Sequence, residues 1–359
     1  MIVFFLINQI CRFMNHERST VEVKDIPSER RPHLRIAVTP ECNFKCAYCR
    51  PGGEGYSGNP TGILPVSDLM NIISLCGDVG FRDAKITGGE PLIRKDLEEI
   101  IRGIKQLGKF DTLDLVTNGS LLVGRATSLR NAGLDNLTVS LDAADRARFF
   151  AITRSNSFPR VVRGIREAVD CGIKTRINSV LSSSNKDQLQ GLVRIAEETG
   201  ADLKIIDVMD LDNEGDSWGG DVWKQEYLSL DYVQDELRDR TISTAVSYPP
   251  GGLGTPMKNL ILDNGVRVML RDATVGTNYD SLTCGECKYY PCQDALISLR
   301  ITHDGLLKKC LIRNDNLVDV ATPLRQGDIE GARSRIQAVF DIFMRAEYKA
   351  NAWKPNESK

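Results

Sequence analysis

The chain holds 359 residues, the length of roughly two average domains or of one large α/β barrel with an appendage. Its 46 basic and 48 acidic residues leave a net charge of −2, which lacks the cationic excess that a general nucleic-acid binder needs against phosphates. A composition of 42% hydrophobic and 26% charged residues excludes wholesale disorder, and ten cysteines beside only three histidines stand out.

The opening MIVFFLINQI is apolar for about ten residues, half of what a bilayer crossing takes. It has neither the basic start nor the small-residue cleavage site of a signal peptide. We read 1–33 as a leader, with Met14 as an alternative start. No later stretch is apolar enough to enter a membrane, so a cytoplasmic protein is expected. Cysteines in that compartment serve more often as metal ligands or catalytic groups than in disulfides.

From Leu34 to Met209, short β-rich runs alternate with amphipathic segments. Strands are expected at Leu34–Thr39, Ala84–Thr87, Thr112–Thr117, Asn136–Ser140, Thr175–Val180 and Leu203–Val208. Helices are expected at Val66–Cys76, Lys95–Leu107, Leu121–Ala132, Arg160–Cys171 and Gln188–Thr199. Gly77, Gly108, Gly133, Gly172 and Gly200 follow them as left-handed caps would. Six β/α units of this kind predict an α/β fold built on a full or partial TIM barrel, whose active face lies at the strand C-termini.

Beyond Asp210 the regularity stops. An acidic, Gly-rich stretch (Asp212–Gly220) and Tyr248–Thr255 (YPPGGLGT) precede two hairpin-like pieces, Asn259–Arg271 and Ala295–Leu311. We take 34–209 as the barrel, 210–319 as an α+β module packed on it, and 320–359 as a tail with one amphipathic helix near Gln326–Ala346.

Cys42, Cys46 and Cys49 crowd one loop directly after the first strand. Three soft thiolates there suit a [4Fe–4S] cluster with one iron left open, or a zinc knuckle that borrows a distant fourth ligand. Cys284, Cys287, Cys292 and Cys310 form a second constellation, for which tetrahedral zinc is a fair reading from spacing. Cys11, Cys76 and Cys171 lack partners at metal spacing, and the latter two fall on apolar helix faces as core residues would.

With Tyr48 before its third cysteine, the C-x3-C-x2-C loop resembles the signature of the radical S-adenosylmethionine (SAM) superfamily. Thr87-Gly88-Gly89-Glu90-Pro91, Thr117-Asn118-Gly119 and Ser140-Leu141-Asp142 follow at successive strand ends, like that superfamily's further motifs. The resemblance implies a partial barrel, a [4Fe–4S] cluster whose open iron holds SAM, and reductive cleavage to a 5′-deoxyadenosyl radical that removes hydrogen from a substrate. It further implies an external one-electron donor such as flavodoxin or ferredoxin, and an auxiliary [4Fe–4S] cluster at the second constellation.

Within the superfamily, Leu34–Thr39, Leu203–Met209 and Leu299–Leu311 look like segments of the GTP 3′,8-cyclase family of molybdenum cofactor biosynthesis. Carried over, Arg35 and Arg300 face the substrate, while Lys85, Arg176 and Lys204 contact its phosphates and Thr117 the nucleotide. Tyr48, Gly88, Gly89, Glu90, Ser140, Asn178 and Met209 surround SAM, the two glycines and the carboxylate by meeting its ammonium group. The chain departs from that family: Leu296 stands at a cluster cysteine, Ser298 at a second substrate arginine, Asp83 at a basic position, and no Gly-Gly ends the tail. A paralogue acting on a related phosphorylated or sugar–nucleoside substrate is the reading we adopt. The rivals are a peptide-modifying maturase, whose clasping N-terminal domain would exceed this leader, and a non-enzymatic metal-binding protein.

Overall fold

A computed structural model describes residues 22–23, 30–49, 62–210, 221–248 and 252–355. Most of the 1–33 leader with Cys11 and Met14, the stretch 212–220, and part of YPPGGLGT lie outside the described residues.

Six parallel strands form the centre: β1 (His33–Ala37), β2 (Asp83–Thr87), β3 (Thr112–Thr117), β4 (Asn136–Ser140), β5 (Lys174–Leu181) and β6 (Asp202–Asp207). Helices α1 (Val66–Val79), α2 (Leu97–Gln106), α3 (Ala126–Ala132), α4 (Arg146–Thr153), α5 (Phe158–Asp170) and α6 (Leu189–Thr199) lie between them in sequence. Side chains alternate across each strand. Leu34, Ile36, Ala84, Ile86, Leu113, Leu115, Leu137, Val139, Ile177, Leu203 and Ile205 are at most 2% exposed and join the helices in one core. Full burial of each larger aliphatic stabilises by about 1.5–3 kcal/mol. The opposite set, with Arg35, Lys85, Asp114, Arg176 and Lys204, is left to the inner face.

The sheet runs on past residue 210. Arg267–Arg271 pairs in parallel with β6, and Ser298–Ile301 pairs in parallel with β1. The hairpin partners Met257–Leu262 and Leu306–Lys308 are antiparallel to these, so thirteen strands make one open, mostly parallel sheet around an incomplete barrel. A separate two-stranded sheet joins Gly276–Tyr279 to Glu347–Ala350. The tail helix spans Ile329–Arg345. No helix among the described residues is long and apolar enough to cross a membrane.

Two expectations shift and one helix was not expected. Helix α1 continues through Gly77, and Gly80, at φ 133°, takes the cap with its N–H on the Cys76 carbonyl. Helix α3 begins at Ala126 instead of Leu121, because the residues before it turn and Gly124 donates its N–H to Glu167. Helix α4 has no apolar period to announce it; only Phe149 and Thr153 are buried. Cys76 is fully buried in the core, whereas Cys171 is half-buried at the end of α5, 3.3 Å from the Thr127 hydroxyl.

Candidate active site

The strand C-termini open on a cavity of about 310 Å³. Its wall brings together Cys42, Cys46, Tyr48 and Cys49 from the loop after β1, Gly88 and Gly89 after β2, Thr117 of β3, Ser140 of β4, Asn178 of β5 and Met209 after β6. Leu311 from the C-terminal half also reaches it.

The cysteine loop is fixed from three sides. Gly89 N–H donates to the Thr39 carbonyl at 2.8 Å and Glu90 N–H to the Glu41 carbonyl at 2.7 Å. A Cβ on Gly88 would stand 2.5 Å from the Thr39 oxygen, and one on Gly89 2.1 Å from the Glu41 oxygen. These glycines therefore admit the strand that delivers Cys42. Glu90 is fully buried and does not line the cavity. Its carboxylate accepts from Thr117 Oγ1 and Asn118 N–H, both 2.6 Å, and from Leu92 N–H at 2.9 Å, which braces the loops after β2 and β3. From β3, Asn118 Nδ2 donates to Asn43 Oδ1 at 2.8 Å, and Asn43 Nδ2 to Ser120 Oγ at 2.9 Å. From α4, the Thr153 and Ile152 carbonyls accept the N–H groups of Lys45 and Ala47, and Phe149 meets Phe44 edge-on at 5.8 Å.

Electrostatics match this role. Burial raises the Cys42 and Cys46 thiols, and Asp142 and the neighbouring cysteines push Cys46 higher still. Deprotonated sulfur here calls for a positive partner, and a soft metal site supplies one. The Tyr48 hydroxyl donates to Asp142, whose other oxygen accepts Val180 N–H at 2.7 Å. Burial pushes the Asp142 carboxyl up to about 6, against those donors. Asp142 was visible in the sequence as the end of Ser-Leu-Asp; its partnership with Tyr48 was not.

Two residues further back along the strands, about 7 Å by strand geometry, the inner face becomes cationic. Arg300, Arg35 and Lys85 stand in adjacent register on Ser298–Ile301, β1 and β2, followed by Asp114 on β3. Lys85 pairs with Asp114 at 3.1 Å. Among the described residues, Arg176 and Lys204 have no hydrogen-bond or ion-pair partner. Burial and the surrounding cations lower Lys204 far below the usual ammonium range; burial also lowers Lys85 and Arg176.

Cys284, Cys287, Cys292 and Cys310 line a second, largely apolar cavity with Tyr279, Tyr290 and Leu296. Among the described residues, no three His, Cys, Asp or Glu side chains stand close enough to hold a single metal ion; the four thiols ring a space instead. Arg300, buried beside it, pairs with Asp294 at 3.0 Å and lines neither cavity. Asp294, like Asp207 on the first cavity's wall, carried no signal in the sequence.

Comparison with known proteins agrees with this architecture. The radical SAM superfamily model matches residues 36–195. A probable GTP 3′,8-cyclase from Methanococcus aeolicus is 33% identical over 85% of this chain and 94% of its own. One from Pyrococcus abyssi is 31% identical over 88% and 94%. In fold, the chain is similar to Streptococcus suis SuiB bound to S-adenosylmethionine, at TM-score 0.58 and 18% identity, covering 82% of this chain but only 64% of that one. It is likewise similar to anSMEcpe with bound AdoMet, at TM-score 0.52 and 16% identity, covering 78% and 74%. With its cysteine loop, strand-end motifs and partial barrel in register, the chain belongs to the radical SAM superfamily: an enzyme of SAM and a [4Fe–4S] cluster, with probable GTP 3′,8-cyclases among its relatives.

Proposed function

We propose that this enzyme removes hydrogen from a small phosphorylated nucleotide or sugar–nucleoside, in the manner of a GTP 3′,8-cyclase. Cys42, Cys46 and Cys49 would hold the first cluster, and Gly88, Gly89, Ser140, Asn178 and Met209 would surround SAM. The chemistry these groups supply when bound is one-electron cleavage of the sulfonium to methionine and a 5′-deoxyadenosyl radical that takes a hydrogen atom from the substrate. A flavodoxin or ferredoxin would provide the electron. The chain's own contribution is positional. Its loops hold the cysteines, the apolar wall of the cavity limits water, and the cationic layer beneath anchors an anion.

The observation that supports the substrate class is the pair Arg176 and Lys204, half-buried on the inner face, with no hydrogen-bond or ion-pair partner among the described residues and Arg176 Nε buried without one. Basic groups partly withdrawn from water without a partner are costly to charge, and phosphate oxygens relieve that with charge-assisted hydrogen bonds. Lys85 and Arg35 would share the anion, and Thr117 would meet the nucleoside. Around Cys284, Cys287, Cys292 and Cys310 we place an auxiliary [4Fe–4S] cluster.

The test is charge removal. Lys204→Gln or Arg176→Gln should weaken nucleotide binding by about 1.5–3 kcal/mol, tenfold or more, with a smaller salt dependence than wild type. SAM affinity should stay within about twofold, since neither residue lines that cavity. Binding titrations with GTP and with SAM read both. Nucleotide affinity unchanged in both variants would overturn the phosphorylated-substrate reading and favour a neutral substrate.

A further inference from the structure

The auxiliary site, taken as a cluster in the reading above, differs from a substrate-binding centre in two ways that reinforce each other. Four thiols line it, among tyrosines, Ala295, Leu296 and Ile312, with Lys309 and Arg313 supplying positive charge beside the sulfurs. Cys292 is turned inward onto the cavity wall. Its sulfur accepts Ala295 N–H at 3.3 Å, and its carbonyl accepts the Tyr279 hydroxyl at 2.5 Å. Ala295 takes φ 53° to make that turn, a left-handed conformation that costs a non-glycine residue free energy. Cys292 shares one cavity wall with Cys284, Cys287 and Cys310. Leu296 fills the adjoining wall with carbon.

The second difference is Arg300. Its Nη2 is 3.0 Å from Asp294 Oδ1, its Nη1 donates to the Ser298 carbonyl at 3.2 Å, and the other Asp294 oxygen accepts Leu311 N–H at 2.5 Å. Both members of the pair are 3% exposed. A substrate would have to displace Asp294 and leave its carboxylate buried without a partner before using the arginine. Ser298, two residues before it on the same strand, is fully buried and presents no charge to the cavity.

We infer that Cys292 is the fourth thiolate ligand of the auxiliary cluster, and that this centre is closed to substrate. With one sulfur on each iron, no coordination position remains for a substrate nitrogen or oxygen, and Asp294 keeps Arg300 for the protein. The cluster then supports the module or relays single electrons, and the whole burden of holding the substrate moves to the layer of Lys85, Arg176 and Lys204. This inference rests on the cluster assignment made above, and its failure is distinguishable from that assignment's failure.

The experiment uses the full chain with Cys42, Cys46 and Cys49 changed to Ala, so that only the auxiliary site can bind iron. After anaerobic reconstitution we expect about four iron atoms per chain. The electron paramagnetic resonance spectrum of the reduced cluster should not change on adding cyanide or isotopically labelled GTP. Adding Cys292→Ala to that background should open one iron: cyanide should now shift the spectrum, or oxidation should release one iron per cluster. The parent spectrum needs no further variant to fold. Cyanide or GTP nitrogen coupling in the parent would overturn the closed site while leaving the cluster in place. Identical spectra with and without Cys292 would overturn its role as ligand. Absence of iron would overturn the cluster itself, while SAM cleavage by the wild-type chain would still report on the first centre.

Discussion

Gly89 owes its identity to a backbone neighbour: a Cβ there would lie 2.1 Å from the Glu41 oxygen, where neither atom has a flexible side chain to yield. Gly89→Ala should therefore displace the cysteine loop, with a cost of about 1–3 kcal/mol from overpacking and the lost Glu90–Glu41 bond. The measurement is iron retained by the first centre: loss of that iron at near-native circular dichroism is expected, and full retention would sink the idea. Asp207 allows a pH test. Its carboxyl, fully buried and held by Gln293 at 3.0 Å, is pushed up by burial to about 6, with Arg271 opposing. A raised carboxyl binds its proton more tightly in the folded chain, so its contribution favours folding below pH about 4 and is lost as pH rises through about 6. Asp207→Asn carries no charge at either pH. Relative to wild type, its stability should rise by up to about 3 kcal/mol between pH 4 and pH 7 in urea titrations. A difference that stays flat across that window would remove the buried carboxylate from the account.

Among the elements, α4 does the most that its sequence conceals. Asp145 caps it by accepting Arg148 N–H at 2.8 Å, and its last carbonyls accept two N–H groups of the cysteine loop. Phe149, 1% exposed, packs against Phe44 in the loop and Phe158 at the start of α5. Phe149→Ala should cost about 3–5 kcal/mol and loosen the first centre before the rest of the fold. Hydrogen exchange at residues 43–49 reads this: faster exchange there than in β1 is expected, and uniform acceleration across the chain would contradict a local role. Neither the cap nor the helix was legible in the sequence, because eight residues with two buried side chains carry no apolar period.

At the scale of the molecule, residues 210–359 complete the sheet on both sides. Arg267–Arg271 covers the edge of β6, and Ser298–Ile301 covers the edge of β1. A fragment of residues 34–209 would expose both edges with their unpaired amides. Expressed alone, it should self-associate or fail to fold, as judged by size-exclusion chromatography and light scattering. A stable monomer would show that the two parts fold independently. The same continuity explains how Arg300, more than two hundred residues from Arg35 in sequence, becomes its register neighbour.

The six strands, most of the helices and the order of the strand-end motifs were legible because each is a local pattern: alternation across a strand, periodicity along a helix, and glycine where φ turns positive. The cysteine loop was legible for the same reason, its three thiols lying within eight residues. Local patterns do not reveal which distant groups share a buried space. Glu90 stood out in the sequence beside the SAM motifs, but its internal partners Thr117, Asn118 and Leu92 did not. Arg300 stood out in the sequence as a candidate, but its buried partner Asp294, six residues away with no motif around it, did not. Residue types and spacings determined the chemistry this chain can hold. The closing of the sheet decided which charges remain available for a ligand, because burial makes every unpaired charge costly and folding satisfies most of them from within.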